Sequence, residues 1–186
     1  MKRTFFAIDI RPDEKLTSAI QDIRNHLAGE RIKWVNADLM HLTLKFLGDT
    51  PEDAIPQIIS SVDEPLRKNP ALTLHLSAIG LFKNLHNPRV IWIGIMQSPL
   101  LERVVQILDN TLVSFGYPID LVGFVPHLTL GRVKEIKQKD QLVRLVEKFK
   151  NEYFGTAIVR EIIYYESILN PEGPVYHPLA HFPFLG

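Results

Sequence analysis

The tetrapeptide His41-Leu42-Thr43-Leu44 occurs a second time, unchanged, as His127-Leu128-Thr129-Leu130, 86 residues further along. Each copy sits in a run that alternates like a β-strand, His41–Leu47 and His127–Val133. The repeat extends outward from there. Helix-opening prolines stand at 12 and 99, an offset of 87, and the apolar stretches before them centre on Phe5 and Ile91, an offset of 86. Three features in one register indicate an internal duplication. Two β-α-β units predict an α+β fold, with antiparallel-rich sheets in two similar lobes around a central groove. The whole chain, 1–186, is expected to form one bilobal domain, its repeat halves falling at about 1–86 and 87–186.

The remaining pattern fills in this frame. Residues 2–10 predict a strand, and Pro12-Asp13-Glu14 opens a helix whose apolar face is Leu16, Ile20, Ile23 and Leu27, with Gly29 as its stop. Residues 32–35 predict a short strand, Thr50-Pro51-Glu52-Asp53 a second helix start, and Leu72–Leu76 another strand. In the second half, Arg89–Ile95 predicts a strand, and Ser98-Pro99 opens a helix carrying Leu101, Val104, Val105, Leu108 and Leu112. Lys139–Tyr153 reads as a helix, 156–169 as one long strand, and 174–184 as a last extended segment.

Composition narrows the function classes. The 186 residues carry 21 Lys+Arg against 21 Asp+Glu, with eleven of each sign in residues 1–86 and ten of each in 87–186. Neither half is a polycation, which argues against coating nucleic acid through phosphate charge or binding a membrane surface through a polybasic patch. With no cysteine, disulfide scaffolds, thiol nucleophiles and thiolate metal sites are excluded. No apolar run approaches the roughly 20 residues of a membrane span, and Asp9 falls too early for a secretory signal, so a cytoplasmic protein is expected.

On a strand, side chains alternate between faces. His41 and Thr43 therefore share one face, as do His127 and Thr129, while the leucines point into the core. Two imidazoles facing a groove suit proton transfer in both directions, because histidine titrates near pH 6.5 and one ring can be neutral while the other is charged. Threonine hydroxyls and the planar fork of Arg132 suit phosphate oxygens. There is no nucleophilic serine or cysteine with a partner, no Gly-rich phosphate loop and no carboxylate pair at motif spacing. The set fits in-line attack by water or a hydroxyl on a phosphodiester. A metal site is the rival, but each strand offers one imidazole ligand and nothing at ligand spacing completes it.

At these residues the sequence resembles the two-histidine (2H) phosphoesterase superfamily, defined by paired His-X-Thr (HxTx) motifs. Within it, the sequence is similar to the bacterial and archaeal RNA 2′,3′-cyclic phosphodiesterases, also called 2′-5′ RNA ligases. The matching segments are Arg3–Ile8, His41–Gly48, Pro88–Trp92, Pro126–Arg132, Glu166-Ser167 and Tyr176. The resemblance implies hydrolysis of a 2′,3′-cyclic phosphate at an RNA 3′ end, tRNA halves among the substrates, to leave a 2′-phosphate. It implies His41 as general acid toward O3′, His127 as general base toward water, Thr43 and Thr129 as phosphate holders and Arg132 as the group that stabilises developing charge. It implies no cofactor, no metal and no obligate protein partner, and a reverse reaction that joins RNA ends through a 2′-5′ linkage without ATP. Two alternatives stay open: a 2H phosphoesterase for small cyclic nucleotides or 2′-5′ linkages, and a non-catalytic RNA-end binding module.

Strict alternation raises one conflict. It puts Gly131, not Arg132, on the His127/Thr129 face, so Arg132 needs a bulge, which Gly131 permits. It also puts Lys45 on the His41/Thr43 face. Phe6, Phe124 and Tyr176 are candidates for base stacking. His75 is expected on a polar strand face, His26 on a helix and His86 in a loop, while His177 and His181 are expected to be partly buried. The run 132–150 holds seven basic residues and three acids, a local excess next to the second motif.

Overall fold

The computed structural model describes residues 1–84, 87–119, 123–171 and 173–185. His86 thus lies outside the described residues. The strands of the described residues form two antiparallel sheets. The first holds, in spatial order, β3 (His41–Thr50), β1 (Lys2–Asp9), β8 (Glu161–Asn170) and β9 (Gly173–Pro183). The second holds β2 (Arg31–Trp34), β6 (His127–Glu135), β5 (Val90–Ile95), β4 (Leu72–Phe82) and β7 (Tyr153–Val159). In one, β1 is flanked by β3 and β8; in the other, β5 is flanked by β6 and β4. The sequence repeat maps β1 onto β5, β3 onto β6 and β4 onto β8. The two halves therefore exchange strands, β4 joining the sheet of the second half and β8 that of the first. Both sheets carry strands from both halves, and β3 approaches β6 where they meet.

Among the described residues, four α-helices pack their apolar stripes into the core. In α1 (Glu14–His26) the Asp13 carboxylate caps the backbone N–H of Leu16 at 2.8 Å, and Leu16, Ile20 and Ile23 are buried. The cap is Asp13 itself, so Pro12 precedes the helix instead of opening it. In α3 (Pro99–Leu112) Ser98 is the N-cap and the five expected apolar residues are buried. The second helix, α2 (Ile55–Arg67), begins later than Thr50–Asp53 predicts. Thr50 stays in β3, where its hydroxyl meets that of Thr4 at 2.7 Å inside the core, and residues 52–54 form the turn. The last helix, α4 (Lys139–Lys148), stops short of 153 because the chain must enter β7 at Tyr153.

The predicted single strand over 156–169 is two strands in different sheets. β7 pairs with β4, the chain breaks at Arg160, and β8 pairs with β1 and β9. Alternation is lost in β8, where Ile162, Ile163, Tyr164 and Tyr165 are all buried, because a central strand is covered on both faces.

The main core takes Leu42, Leu44, Leu128 and Leu130 together with the helix stripes. A second, smaller apolar cluster of Phe5, Ala7, Ile163 and Tyr165, with Tyr176 against it, lies on the other face of the first sheet. This cluster forms a floor beneath His41. Among the described residues, no helix is long and apolar enough to cross a membrane.

Candidate active site

His41 and His127 are the first residues of β3 and β6. Each imidazole is tied in the same way: His41 Nδ1 lies 2.8 Å from the carbonyl of Leu39, and His127 Nδ1 lies 2.8 Å from the carbonyl of Val125. A carbonyl only accepts, so each Nδ1 carries a proton and donates it. That fixes the tautomer and leaves Nε2 as the exchangeable position, a lone pair in the neutral ring and an N–H in the charged one.

The rings are held by aromatic neighbours. His41 lies 5.2 Å from Phe5 and 5.1 Å from Tyr176, which meets it edge-on. His127 meets Phe82 edge-on at 4.6 Å, with Trp92 at 6.2 Å. Trp92 lies over Gly80, where a Cβ would come within 2.1 Å of indole carbons, so glycine is required there for the indole to lie flat. Phe5, Phe82 and Trp92 are wall residues that the sequence reading assigned no role. The available signal was cross-strand register, since Trp92 stands directly opposite Thr129.

Both imidazoles are held below the ordinary histidine pKa. For His41 the largest cause is burial, opposed by the Leu39 carbonyl and by the negative charge of Asp9; the charges of Arg132 and His127 push it down further. For His127 burial again leads, opposed by the Val125 carbonyl and reinforced by Arg132. Two consequences follow. The imidazoles are close enough to sense each other, and Arg132 acts on both. The asymmetry between them is Asp9, which stands opposite His41 in the β1–β3 ladder and accepts the Tyr165 hydroxyl at 2.9 Å.

The position of Arg132 resolves the conflict over alternation. Against β5, Ile91 pairs with Gly131 but Trp92 pairs with Thr129, so Leu130 is an extra residue. The bulge rephases the strand: Leu130 and Gly131 are both buried and Arg132 is exposed on the His127/Thr129 side. Gly131 fits because a Cβ there would lie 2.7 Å from Ile32 and 2.9 Å from Trp34.

The same bulge falls at the same residue of the first motif. Against β1, Phe6 pairs with Lys45 but Ala7 pairs with Thr43, leaving Leu44 extra. Lys45 is thereby turned away from the His41/Thr43 face. Its ammonium binds Asp109 of α3 at 2.5 Å and the Pro118 carbonyl at 2.6 Å, in a nearly buried pair that joins the two halves of the chain. The residue that takes Arg132's register in β3 is Phe46, which lies under the Arg3 guanidinium at 4.6 Å. Of the two motif strands, only β6 delivers a cation to the histidines.

The other candidates separate clearly. Phe6 is fully buried and stacked on Tyr164 at 4.3 Å, so no substrate reaches it. Phe124 lines a cavity of about 250 Å³ against α3, while Tyr176 packs on the Phe5 cluster with its ring edge-on to His41. His75 is exposed beside the Tyr153 hydroxyl, and His26 pairs with Asp22 on α1. His177 and His181 are exposed, against expectation, because β9 is an edge strand with a register shift beside Tyr164/Tyr165. In the basic run, Lys148 and Lys150 sit on the helix side, paired with Asp22 and Glu147. Among the described residues, no three His, Asp or Glu side chains converge as a metal ion requires.

The model of the LigT-like phosphoesterases matches the chain twice, over residues 8–92 and 93–176. The chain belongs to the LigT-like phosphoesterase family. The two matches follow the internal repeat, one motif strand in each. An RNA 2′,3′-cyclic phosphodiesterase of Methanocaldococcus jannaschii is 35% identical over 97% of this chain and 99% of its own. One of Thermotoga maritima is 33% identical over 99% and 96%. Among solved structures, the protein TT0787 of Thermus thermophilus superposes with a TM-score of 0.81 at 26% identity, covering 99% and 98% of the two chains. The LigT protein of E. coli in complex with 3′-AMP superposes with 0.76 at 25% identity, covering 100% and 99%. The two-sheet architecture is thus that of the LigT-like phosphoesterases.

Proposed function

We propose that the protein hydrolyses the 2′,3′-cyclic phosphate at an RNA 3′ end to a 2′-phosphate, with His41 as general acid and His127 as general base. The observation that carries the chemistry is the pair of imidazoles at equivalent strand starts, both with Nδ1 bound to a carbonyl and both within reach of the Arg132 charge. Neutral His127 takes a proton from water at Nε2 as the water oxygen bonds to phosphorus. The P–O3′ bond breaks on the opposite side, and protonated His41 delivers its Nε2 proton to O3′. Asp9 supports this order of roles, because its negative charge favours the protonated form of His41, whereas among the described residues no carboxylate shifts His127. Thr43 and Thr129 donate to the non-bridging oxygens, and Arg132 stabilises the charge that builds on them. The 5′-hydroxyl of a second RNA end in place of water bonds to phosphorus as P–O3′ breaks, and gives the 2′-5′ linkage by the same in-line step, without ATP. The names of the relatives supply the substrate class, an RNA cyclic phosphate.

The pH profile tests the assignment. Activity requires His127 neutral and His41 charged, so kcat/KM is bell-shaped and centred midway between their free-enzyme pKa values. Both lie below the ordinary histidine value, so the optimum of kcat/KM is expected on the acid side of about pH 6.5. The anionic phosphate favours imidazolium, so the kcat profile is expected to lie at higher pH than that of kcat/KM. Activity is expected to persist in EDTA. A sigmoidal profile without an alkaline limb, or activity lost to EDTA and restored by zinc, contradicts two-histidine catalysis.

A further inference from the structure

We propose that Asp9 and Tyr165 are a positioning pair that sets which histidine gives up a proton: the Tyr165 hydroxyl holds the Asp9 carboxylate beside the His41 ring, and in the second repeat a glycine takes the place of Asp9. The proposal rests on the function above and deepens it, because it names the residues that make one imidazole the acid. Asp9 is the direct partner of His41 in the β1–β3 ladder, and directly paired residues share a face with their Cβ atoms about 4.5–5.5 Å apart. That face carries Phe5, whose ring lies 5.2 Å from His41 and stacks on Tyr165 at 5.4 Å. The Tyr165 hydroxyl reaches both oxygens of Asp9 at 2.9 Å. This contact fixes the carboxylate at the end of the ladder, although Asp9 is exposed. Burial, and then the Asp9 carboxylate, push the pKa of the Tyr165 hydroxyl up, so it remains a donor wherever histidine titrates.

The duplication supplies the contrast. In the β5–β6 ladder the residue directly opposite His127 is Gly94. A Cβ on Gly94 would come within 2.8 Å of the Ser77 carbonyl and 3.3 Å of the Trp92 ring. The place that holds Asp9 in the first repeat therefore admits no side chain in the second. The titratable and charged groups that face His41 are Asp9 of β1, Tyr176 of β9, and His127 and Arg132 of β6. Among the described residues, Asp9 is the one negative charge in that set. Burial lowers the proton affinity of His41 most, and the Leu39 carbonyl and the Asp9 charge work against it. Around Asp9 itself stand Tyr165, Arg11 and Asp38, the last two lining one cavity with it of about 480 Å³. Glu161, paired with His181, also acts on Tyr165. Without the Tyr165 hydroxyl, the Asp9 carboxylate is free to turn away from His41 toward Arg11.

The test titrates the His41 and His127 rings by NMR in the free protein, in the wild type and in Asp9→Asn, Asp9→Glu and Tyr165→Phe. Each ring is assigned from its loss in His41→Ala or His127→Ala. Asparagine keeps an acceptor for Tyr165 and removes only the charge. The proton affinity of His41 is expected to fall roughly three- to tenfold in Asp9→Asn, a modest value for a neighbouring carboxylate because Asp9 faces solvent, while that of His127 is unchanged. A smaller fall is expected in Tyr165→Phe, and in Asp9→Glu the affinity stays closer to the wild type. In turnover of a cyclic-phosphate oligonucleotide by Asp9→Asn, one limb of the kcat/KM profile is expected to move to lower pH by the same factor while the other stays. A merely structural role lowers activity with both limbs in place. An unmoved His41 in Asp9→Asn, or equal movement of both rings, overturns the proposal, and an unmoved His41 in Tyr165→Phe overturns the pairing. The titration needs no substrate. If the wild type turns over no cyclic phosphate, the hydrolytic reading fails, and the His41 titration still decides the pair.

Discussion

His41→Ala and His127→Ala are each expected to lower kcat/KM on a cyclic-phosphate oligonucleotide by about 10²- to 10⁴-fold, while the protein stays folded. The expectation follows from the way each ring is mounted. Its Nδ1 is committed to a carbonyl, so the whole proton-transfer capacity of the residue sits on Nε2. Alanine removes that atom but leaves the strand ladder intact, because each histidine is the first residue of its strand and neither belongs to the buried core. Acid and base act in one transition state, so the double variant is expected to lose little more than either single one. Near-wild-type turnover in either variant defeats the acid–base account. A binding module for RNA ends makes a different prediction, retained affinity and no turnover in the wild type as well.

Arg132→Gln is expected to lower kcat/KM by about 10²- to 10³-fold, the usual effect of removing one donor aimed at developing oxyanion charge. Lys45 does not substitute for it, being held by Asp109 and Pro118. The two motif strands thus leave the site with a single guanidinium. This variant also carries a signature that a merely structural role lacks. The Arg132 charge depresses the pKa of both histidines, so its loss raises both and moves the kcat/KM optimum to higher pH. Arg132→Lys keeps the charge but not the fork, so it is expected to restore the pH optimum better than the rate. Lost activity with an unmoved profile contradicts the placement of Arg132 beside both rings.

Most of the framework was legible in the amino-acid sequence because its signals are periodic. The repeated His-Leu-Thr-Leu, alternating over a strand, identified which side chains enter the core, and Leu42, Leu44, Leu128 and Leu130 are buried there. Alternation fails where a strand is not regular. The extra residues at Leu44 and Leu130 exchange faces beyond the motif, so Lys45 leaves the groove and Arg132 enters it. Gly131 hinted at the second bulge; nothing marked the first, because Lys45 reads as an ordinary outward strand residue. The break at Arg160 was hidden because β7 and β8 are both apolar and β-branched, and only their different partners separate them. The aromatic walls from Phe5, Phe82 and Trp92 depend on register between strands distant in sequence, which no local pattern encodes.

The most direct test is the fate of the terminal phosphate. An oligonucleotide ending in a 2′,3′-cyclic phosphate is incubated with the protein in ¹⁸O-labelled water, and the product is analysed by ³¹P NMR and mass spectrometry. The account predicts one labelled oxygen on phosphorus, a 2′-phosphomonoester and a free 3′-hydroxyl. A 3′-phosphate, or an unchanged cyclic end, contradicts it.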